Sequence, residues 1–378
     1  MNSTRVVLNG RFLDQPATGV QRYAKETLLA LDRLISTDTR SGQSLRVQLA
    51  VPRGVTAPPL AAIEVVELPA LSGHLWEQIT LARFASGAYL VGFSYSGPIF
   101  KRQQLVTIHD ATVAAVPACF SARYRYFFHL LVWLLRSRVD TVMTVSEFSR
   151  TEIMSRLGVR SRIVVGREGW EHSVATGDAQ SVLRKYGLES GHYVLSVGSI
   201  KPNKNIGIIA DALRQVADFP WTVAIAGAKD PRIFSSNESV PDSVRMLGFV
   251  ADEDLGLLYQ HAAWFVFPSL YEGFGLPAIE AMANGCPVLA AQAGSLPEVC
   301  GDAALYFDPM DSRSLADLFR RVIADPSLRT RAIERHQERL DHYTWTANAV
   351  ILWNEMLHCA GPARAAIAVA ATSPARPS

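Results

Sequence analysis

Short runs of β-branched and apolar residues alternate with longer amphipathic segments along most of the chain. In the first half the strand-like runs include "RVVLNG", "VQLAV" and "TVMTVS", while "GVQRYAKETLLALDRL" has the hydrophobic spacing of an amphipathic helix. The pattern starts again at "HYVLSVGS" and continues through "WTVAIAG", "AWFVFPS" and "CPVLAAQ". Strands that alternate with helices are typical of parallel sheets covered by helices, so we predict an α/β protein with two similarly built halves.

The segment between the halves and the end of the chain differ from the rest in composition. Residues 166–191 lose the strand pattern and are rich in glycine, serine and charge, as expected of a domain connection. Residues 360–378 are mostly alanine, proline, serine and arginine, with too few large apolar side chains to offset the entropy of ordering. We therefore predict a first domain over residues 1–172, a second over residues 173–359 and a disordered tail over residues 360–378.

Composition and charge exclude several classes of protein. The formal charge is +2 over 378 residues and lysine and arginine form no long run, so we expect no nucleic-acid partner. The four cysteines are far apart and lack the spacing of metal ligands, so we expect free thiols in a reducing compartment. The N-terminus has no secretory signal pattern and no apolar run is long enough to span a bilayer, so we expect a cytoplasmic protein.

The segment "YEGFGLPAIEAMANGCPVLAA" has the features of a loop and helix that bind an anion. It follows the apolar run "WFVFPS", and Pro277 suits the first turn of a helix, where its missing N–H costs nothing. Gly273 and Gly275 make the preceding turn flexible. The N–H groups of residues 274–276 would have no partner within the helix and would lie at its positive dipole end, so we predict a phosphate site here.

Two glutamates flank this predicted helix N-terminus. Glu272 precedes the helix, while Glu280 lies one turn inside it with a side chain that leans back toward the N-terminus. A carboxylate accepts hydrogen bonds and repels phosphate, so each suits sugar hydroxyls on either side of a diphosphate. The predicted ligand is therefore a nucleotide sugar. The alternative is that Glu272 is a turn residue and Glu280 a solvated helix position.

The segment "EGFGLPAIEA" resembles the E-x7-E motif of retaining family 4 glycosyltransferases. In the second half, "SVGSIKPNKN", "VRMLGFV" and "GSLPEVCGDAALYFDP" resemble further segments of that family, and in the first half "TGVQRYAKE" and "TIHD" do so. The resemblance covers nearly the whole chain before the predicted tail. It implies the GT-B fold, in which two Rossmann-like domains face each other across a cleft, and a glycosyltransferase activity that retains the anomeric configuration.

The resemblance also implies roles for individual residues. Glu280 would hold the nucleotide ribose, Glu272 the donor sugar, and Lys204 would neutralise the diphosphate. Gly19 would let the backbone approach the phosphates, and His109 would lie beside the donor sugar. His109, Lys204 and Glu272 are thus the implied catalytic residues. The other implied donor-binding residues are Ser199, Lys201, Phe249, Val250, Phe274, Gly275 and Leu276.

One part of the chain departs from the family's pattern. The family usually adds an arginine to the lysine of this loop, but Ser199 and Asn203 occupy those positions here. Lys201 is the remaining cation in the loop, although a lysine cannot make the bidentate contact of an arginine. We expect Lys201 to supply the second charge.

No metal ion and no cofactor other than the donor substrate is expected. Asp252 and Asp254 in "ADEDL" have a spacing that metal-dependent glycosyltransferases use, but they precede the helix-like "GLLYQHAA". A helix N-cap with acidic residues in the first turn explains them better.

The resemblance predicts transfer of a hexose to a saccharide or lipid-linked acceptor in the synthesis of a cell-surface polysaccharide such as lipopolysaccharide. We expect GDP-mannose as the donor, with a UDP-hexose as the alternative. Two other functions remain open at this point. One is a nucleotide-sugar-binding module with little or no transferase activity. The other is a glycosidase that uses Glu272 and Glu280, whose carboxyl groups would have to lie about 5 to 9.5 Å apart across a glycosidic bond.

Residues 122–138, "ARYRYFFHLLVWLLRSR", combine aromatic and aliphatic bulk with arginines at both ends. A helix of this composition can lie on an anionic membrane surface and bring the chain to a lipid-linked acceptor. It can equally be a packed helix whose arginines extend to solvent. We favour core packing, because apolar residues nearly all round a helix usually indicate burial.

Overall fold

Two parallel β-sheets, each covered by helices, form the framework of the chain. The computed structural model describes residues 4–16, 18–37, 45–69, 71–198, 201–227 and 241–360. The sheets have seven and six strands, and the first comes from the N-terminal half and the second from the C-terminal half. The predicted α/β class is confirmed.

The first sheet has the strand order β3-β2-β1-β4-β5-β6-β7. Its strands are β1 (Thr4–Asn9), β2 (Leu45–Pro52), β3 (Glu64–Leu68), β4 (Tyr89–Gly92), β5 (Gln104–Thr107), β6 (Thr141–Thr144) and β7 (Arg162–Val165). The helices of this half are α1 (Gly19–Thr37), α2 (Gly73–Leu75), α3 (Ala82–Phe84), α4 (Thr112–Ala115), α5 (Ala122–Leu135) and α6 (Glu147–Leu157). Val6 of β1 lies opposite Val47 of β2 and Tyr89 of β4, and all three side chains are buried.

The second sheet has the order β10-β9-β8-β11-β12-β13. Its strands are β8 (Tyr193–Val197), β9 (Thr222–Ala226), β10 (Val244–Gly248), β11 (Trp264–Phe267), β12 (Val288–Ala291) and β13 (Ala304–Phe307). The first helices of this half are α7 (Ala179–Tyr186), α8 (Gly207–Leu213), α9 (Asp252–His261), α10 (Leu276–Ala283) and α11 (Leu296–Cys300). The last four are α12 (Ser312–Ala324), α13 (Ser327–Glu334), α14 (His336–His342) and α15 (Trp345–Ala360).

Both sheets change direction in strand order at their first strand. β1 lies between β2 and β4, and β8 lies between β9 and β11. In sheets of this kind the crevice for a ligand lies beyond the carboxyl ends of the strands, at the point where the order reverses. The loops that follow β1, β5, β8 and β11 are therefore the ones expected to form a site.

The last helix connects the two halves. α15 packs against α1, although the predicted division at residue 173 assigns α15 to the second domain. The side chain of Asn348, which is fully buried, accepts a hydrogen bond from the Arg167 N–H at 2.9 Å and donates one to Thr27 Oγ1 at 2.8 Å. The domain ranges stay a prediction. The predicted tail lies outside the described residues except for Ala360, which ends α15.

Two further expectations can be compared with the structure. None of the four cysteines, all of which are described, forms a disulfide bond, as the sequence predicts. Within the described ranges no helix combines the length and the apolar character needed to cross a bilayer.

α5 is only partly packed, so the expectation of a core helix was wrong for one of its faces. Phe128, Leu131, Val132 and Leu135 are buried. On the other side Tyr126 is 78% exposed and Leu130 and Trp133 are more than half exposed. α5 is apolar on all sides, but only one of its faces packs against the core, and the opposite face lies in solvent.

We predict that Asn348→Ala destabilises the fold by about 1 to 3 kcal/mol, because the part-buried Arg167 N–H and the buried Thr27 hydroxyl each lose the hydrogen bond to Asn348. Urea unfolding measures the change in the free energy of unfolding. Asn354→Ala, at an exposed position of the same helix, is the matched control and should change that free energy by less than about 0.5 kcal/mol. Equal effects of the two substitutions would show that the α15 contact does not hold the halves together.

Candidate active site

A cleft of about 320 Å³ lies between the carboxyl ends of the two sheets. It is lined from the first half by residues near α1, β5 and β7, and from the second half by the loop after β11 and the start of α10. Eight of the predicted site residues line it: Gly19, His109, Lys204, Glu272, Phe274, Gly275, Leu276 and Glu280. The structure thus brings together most of the positions that the sequence singled out.

Three further predicted site residues, Lys201, Phe249 and Val250, are described and do not line this cleft. The ammonium of Lys201 is exposed and lies 5.4 Å from the centre of the Phe120 ring. The Phe249 side chain is 79% exposed, whereas Val250 is buried in the core. Ser199 lies outside the described residues. The expectation that Lys201 supplies the second charge therefore has no support from its position.

The N-terminus of α10 opens into the cleft. Gly275 precedes the helix with φ of 103°, and a Cβ there would lie 2.6 Å from Leu296 Cδ2, so only glycine fits. In the described part of the chain the N–H groups of residues 274–276 have no hydrogen-bond acceptor, as expected for the first turn of a helix. These groups and the helix dipole make the cleft wall positive at this point.

Glu272 and Lys204 form an ion pair at this end of the cleft. Lys204 Nζ lies 2.5 Å from Glu272 Oε1, and both side chains are mostly buried. The same ammonium lies 5.7 Å from the centre of the Phe267 ring. The residues that the resemblance assigns to phosphate and to sugar therefore contact each other, and a diphosphate would share the Lys204 ammonium with Glu272.

Glu280 is held by hydrogen bonds to both carboxylate oxygens. His172 Nε2 lies 2.9 Å from one oxygen, and the Tyr259 hydroxyl donates to the other at 3.5 Å. Trp345 Nε1–H donates to His172 Nδ1 at 3.1 Å, so Nδ1 is an acceptor and the proton of the imidazole lies on Nε2. His172 therefore donates to Glu280, and this chain of contacts fixes the direction of the carboxylate.

His109 and Glu168 face each other on the first-half side of the cleft. His109 Nε2 lies 3.0 Å from the Phe93 carbonyl oxygen, and His109 Nδ1 lies 4.0 Å from Glu168 Oε1. Burial lowers the pKa of His109, so the ring is neutral with its proton on Nε2. Burial, and then the nearby charges of Glu280, Asp110 and Glu272, raise the pKa of Glu168 to about 8.

Arg22 is a cation of the cleft that the sequence reasoning missed. It lies on α1, and its guanidinium lies 2.6 Å from Asp252 Oδ2 at the start of α9. Burial by itself would lower the pKa of Arg22, but the hydrogen bond to Asp252 and the charge of Glu280 raise it on balance. Arg22 thus places a guanidinium in the cleft from the half opposite Lys204.

The "ADEDL" segment forms the first turn of α9. Asp252 pairs with Arg22, while Asp254 accepts from Lys185 Nζ at 2.6 Å and from the Tyr186 hydroxyl at 2.9 Å. The acidic first turn is confirmed, but the cap residue is Ala251, which makes no side-chain cap hydrogen bond, so the N-cap interpretation was wrong. Within the described ranges no three histidine, cysteine or acidic side chains group so as to hold a metal ion.

Comparison with known proteins identifies the family. The pattern of the family "Glycosyl transferases group 1" matches residues 180–339. O-antigen chain mannosyltransferase B of Escherichia coli is 32% identical over 277 residues, which are 67% of this chain and 71% of that protein. The chain belongs to the group 1 glycosyltransferases. The family prediction and the prediction of a glycosyltransferase are confirmed.

Two further similarities extend over more of this group 1 glycosyltransferase. O-antigen chain mannosyltransferase RfbU of Salmonella typhimurium is 25% identical over 334 residues, which are 84% of this chain and 90% of that protein. The solved structure of sucrose-phosphate synthase from Thermosynechococcus elongatus has a TM-score of 0.70 at 18% identity and covers 94% of this chain and 98% of its own. That likeness shows the fold, so the predicted GT-B architecture is confirmed.

The segment between the sheets contributes two site residues that sequence reasoning did not assign. Residues 166–191 were interpreted as a connection, but Glu168 lines the cleft and His172 holds Glu280. A Cβ at Gly169 would lie 2.2 Å from the Trp345 N atom, so glycine allows the close contact with α15. The available signal was the sequence "EGWEH" directly after the last strand of the first sheet, at the edge where ligands bind.

Glu168→Gln should raise the Tm of this glycosyltransferase relative to the wild type, by an amount that grows as the pH rises. The folded chain keeps Glu168 protonated up to about pH 8, whereas the unfolded chain ionises it above its ordinary value of 4.5. The pKa of Glu168 is thus higher in the folded chain than in the unfolded chain. The stability of the wild type is therefore highest below pH 4.5 and falls as the pH rises to about 8. Glutamine does not ionise, so the Tm difference should grow from about pH 5 to about pH 8 and then level off.

Thermal unfolding over this pH range measures the difference. Glu334→Gln, at an exposed position of α13, is the control and should show no such trend. A Tm difference for Glu168→Gln that is constant with pH would contradict the protonated state of Glu168.

Proposed function

We propose that the chain transfers mannose from GDP-mannose to a saccharide or lipid-linked acceptor in the synthesis of a bacterial cell-surface polysaccharide. The observation that carries the proposal is the N-terminus of α10, which opens into the cleft between Glu272 and Glu280. The mannosyltransferase names of two relatives support mannose as the sugar. A UDP-hexose fits the same arrangement and is the alternative donor.

The diphosphate lies between two helix N-termini. The N–H groups of residues 274–276 face it from the second half, and α1 begins at Gly19 on the opposite side. A Cβ at Gly19 would meet nothing within 4 Å, so the backbone there is open to a ligand. Arg22 and Lys204 add a positive charge from each half. These groups neutralise the diphosphate, and the transfer needs no metal ion or other cofactor.

The leaving nucleoside diphosphate gains negative charge as the anomeric bond breaks. Preorganised cations and amides at that position lower the barrier. The carboxylates of the cleft are engaged elsewhere: Glu272 by Lys204, Glu280 by His172, and Asp110 by the Tyr95 hydroxyl at 3.1 Å and the Thr112 N–H at 2.8 Å. The fourth acid of the described lining, Glu168, is protonated at neutral pH because its pKa is raised to about 8. No carboxylate of this lining is therefore free to act as a nucleophile, which supports attack by the acceptor on the face of the leaving group. The leaving phosphate then takes the proton of the acceptor, and the configuration is retained.

The alternatives open from the sequence are disfavoured by the family. Membership of the group 1 glycosyltransferases favours transfer over a glycosidase or a simple binding module. Transfer assays with purified protein and GDP-mannose or UDP-hexoses distinguish the two donors by the ratio of their kcat/KM values.

Lys204→Ala should lower kcat by about 100-fold or more with a smaller loss of donor affinity, because the leaving-group charge peaks in the transition state. Lys201→Ala makes the matched comparison and should change kcat by less than about 2-fold, since Lys201 lies outside the cleft lining. Steady-state kinetics give kcat, and calorimetry gives the donor Kd. A larger loss for Lys201→Ala than for Lys204→Ala would reverse the assignment of the cations.

We further propose that the first domain contacts an anionic membrane, at the cytoplasmic face where a lipid-linked acceptor is presented. The exposed face of α5 carries Tyr126, Phe127, Leu130 and Trp133, at the three- and four-residue spacings of one helix face. Phe127 packs against His74, and the side chain of the adjacent Leu75 is 62% exposed. We give the name aromatic patch to the exposed apolar residues Leu75, Phe100, Tyr126, Phe127, Leu130 and Trp133.

Arginines occur at both ends of the α5 segment that carries the aromatic patch. Arg123 and Arg125 lie near the start of α5, and α5 contains no acidic residue. The Arg136 guanidinium lies 5.8 Å from the centre of the Trp133 ring, and that of Arg138 lies 5.7 Å from the centre of the Phe100 ring, which is 88% exposed. Aromatic side chains beside arginines suit the interface of an anionic bilayer, where rings enter the headgroup region and cations meet phosphate.

Replacing Phe127, Leu130 and Trp133 together by serine should weaken binding to anionic vesicles by about 10-fold or more, because buried apolar area is lost. Sedimentation with phosphatidylglycerol vesicles and with neutral phosphatidylcholine vesicles measures this binding. The control is Met154→Ser, which changes an exposed apolar residue of α6 outside the aromatic patch. Wild-type binding that is equal for the two lipids, or unchanged in the triple variant, would contradict the membrane contact.

A further inference from the structure

Glu168 is held in a fixed direction by the contact between its loop and α15. The preceding residue, Arg167, donates its backbone N–H to Asn348 Oδ1 at 2.9 Å. The Glu171 carboxylate accepts from the Trp345 N–H at 2.9 Å, and Gly169 lies directly against Trp345. With the backbone fixed on both sides, the Glu168 side chain lines the cleft.

Glu168 is 7% exposed, and within the described part of the chain its carboxyl group has no hydrogen-bond partner. His109 Nδ1 lies 4.0 Å from Glu168 Oε1, which is beyond hydrogen-bond length. A buried polar group without a partner costs free energy, and such groups in a cleft are candidates for ligand contacts.

His109 offers a single free hydrogen-bonding atom toward Glu168. Because Nε2–H donates to the Phe93 carbonyl, Nδ1 carries a lone pair and can only accept. Its separation of 4.0 Å from Glu168 Oε1 is less than twice a usual hydrogen-bond length of about 2.8 Å. One hydroxyl oxygen can therefore contact both atoms.

The groups around Glu168 favour its acid form. Asp110 and His109 face it from the loop after β5, Glu272 from the loop after β11, Glu280 from α10, and Tyr23 from α1. The two cations of the cleft lining are engaged, Arg22 by Asp252 and Lys204 by Glu272. Burial and three nearby carboxylates thus keep the proton on Glu168 up to about pH 8, and the pKa of His109 is lowered by its own burial.

We infer that Glu168 and His109 form a clamp for one hydroxyl group of a bound sugar, in which the Glu168 O–H donates to the hydroxyl oxygen and the hydroxyl donates to His109 Nδ1. The inference rests on the proposed function, since the sugar is the ligand of that same cleft. The clamp satisfies both the donor and the acceptor capacity of the hydroxyl. A sugar without that hydroxyl leaves both Glu168 and His109 unpaired, so the clamp determines specificity as well as position.

The pH dependence of kcat/KM tests the clamp. Wild-type kcat/KM should fall above about pH 8, as Glu168 ionises and loses its donor. Glu168→Gln keeps an N–H donor, so it should lose less activity than Glu168→Leu and should lack the alkaline fall. Glu168→Leu should have a kcat/KM about 100-fold below the wild-type value at pH 7 and no alkaline fall of this origin, because no donor remains at any pH. An alkaline fall retained in Glu168→Gln, or equal kinetics of the two variants, would overturn the inference.

A substrate-free measurement separates this inference from the proposed function. Infrared difference spectra between the wild type and Glu168→Gln at about pH 7 report the carbonyl stretch of a protonated carboxyl group. A protonated band that disappears as pH rises through about 8 supports the clamp, and a carboxylate band at about pH 7 overturns it. If the wild type turned over no nucleotide sugar, the proposed function would fail, and the infrared result would still decide whether Glu168 is a donor.

Discussion

An excess of carboxylates over cations is the electrostatic constraint on the cleft. Its described lining residues include the acids Asp110, Glu168, Glu272 and Glu280 but only the cations Arg22 and Lys204. Four free carboxylates would repel a diphosphate. Instead, one acid is kept protonated and the other three accept hydrogen bonds from neighbouring groups. The N–H groups at the start of α10 then remain as the positive wall of the site.

Direct contacts between the halves set the geometry of this charge arrangement. The hydroxyls of Ser146 and Ser149 donate to the Gly273 carbonyl, and Glu298 accepts from the N–H groups of Glu147 and Phe148 at 2.9 Å each. These bonds hold the loop of Glu272 against the start of α6. On the other side, α15 crosses to the first half and brings Trp345 against His172. The halves thus share the site rather than merely facing it.

The sequence pattern predicted the features that depend on local order. The spacing of hydrophobic residues and the composition of each segment predicted the strands. The sequence around Pro277 predicted the helix N-terminus with Glu272 and Glu280 beside it. Arg22, Glu168 and His172 were not predicted, because their roles depend on neighbours that are distant in sequence: Asp252 for Arg22, His109 for Glu168 and Glu280 for His172. Lys201 and Phe249 do not line the cleft, and their predicted roles stay predictions. Nearness in sequence to a site residue does not fix the direction of a side chain.

A crystal structure of the protein with GDP tests this charge arrangement most directly. We predict phosphate oxygens within hydrogen-bond distance of the N–H groups of residues 274–276 and of Lys204 Nζ, with the ribose hydroxyls donating to Glu280. A diphosphate bound away from the start of α10, or a nucleotide in the reverse direction with its ribose at Glu272, would contradict it.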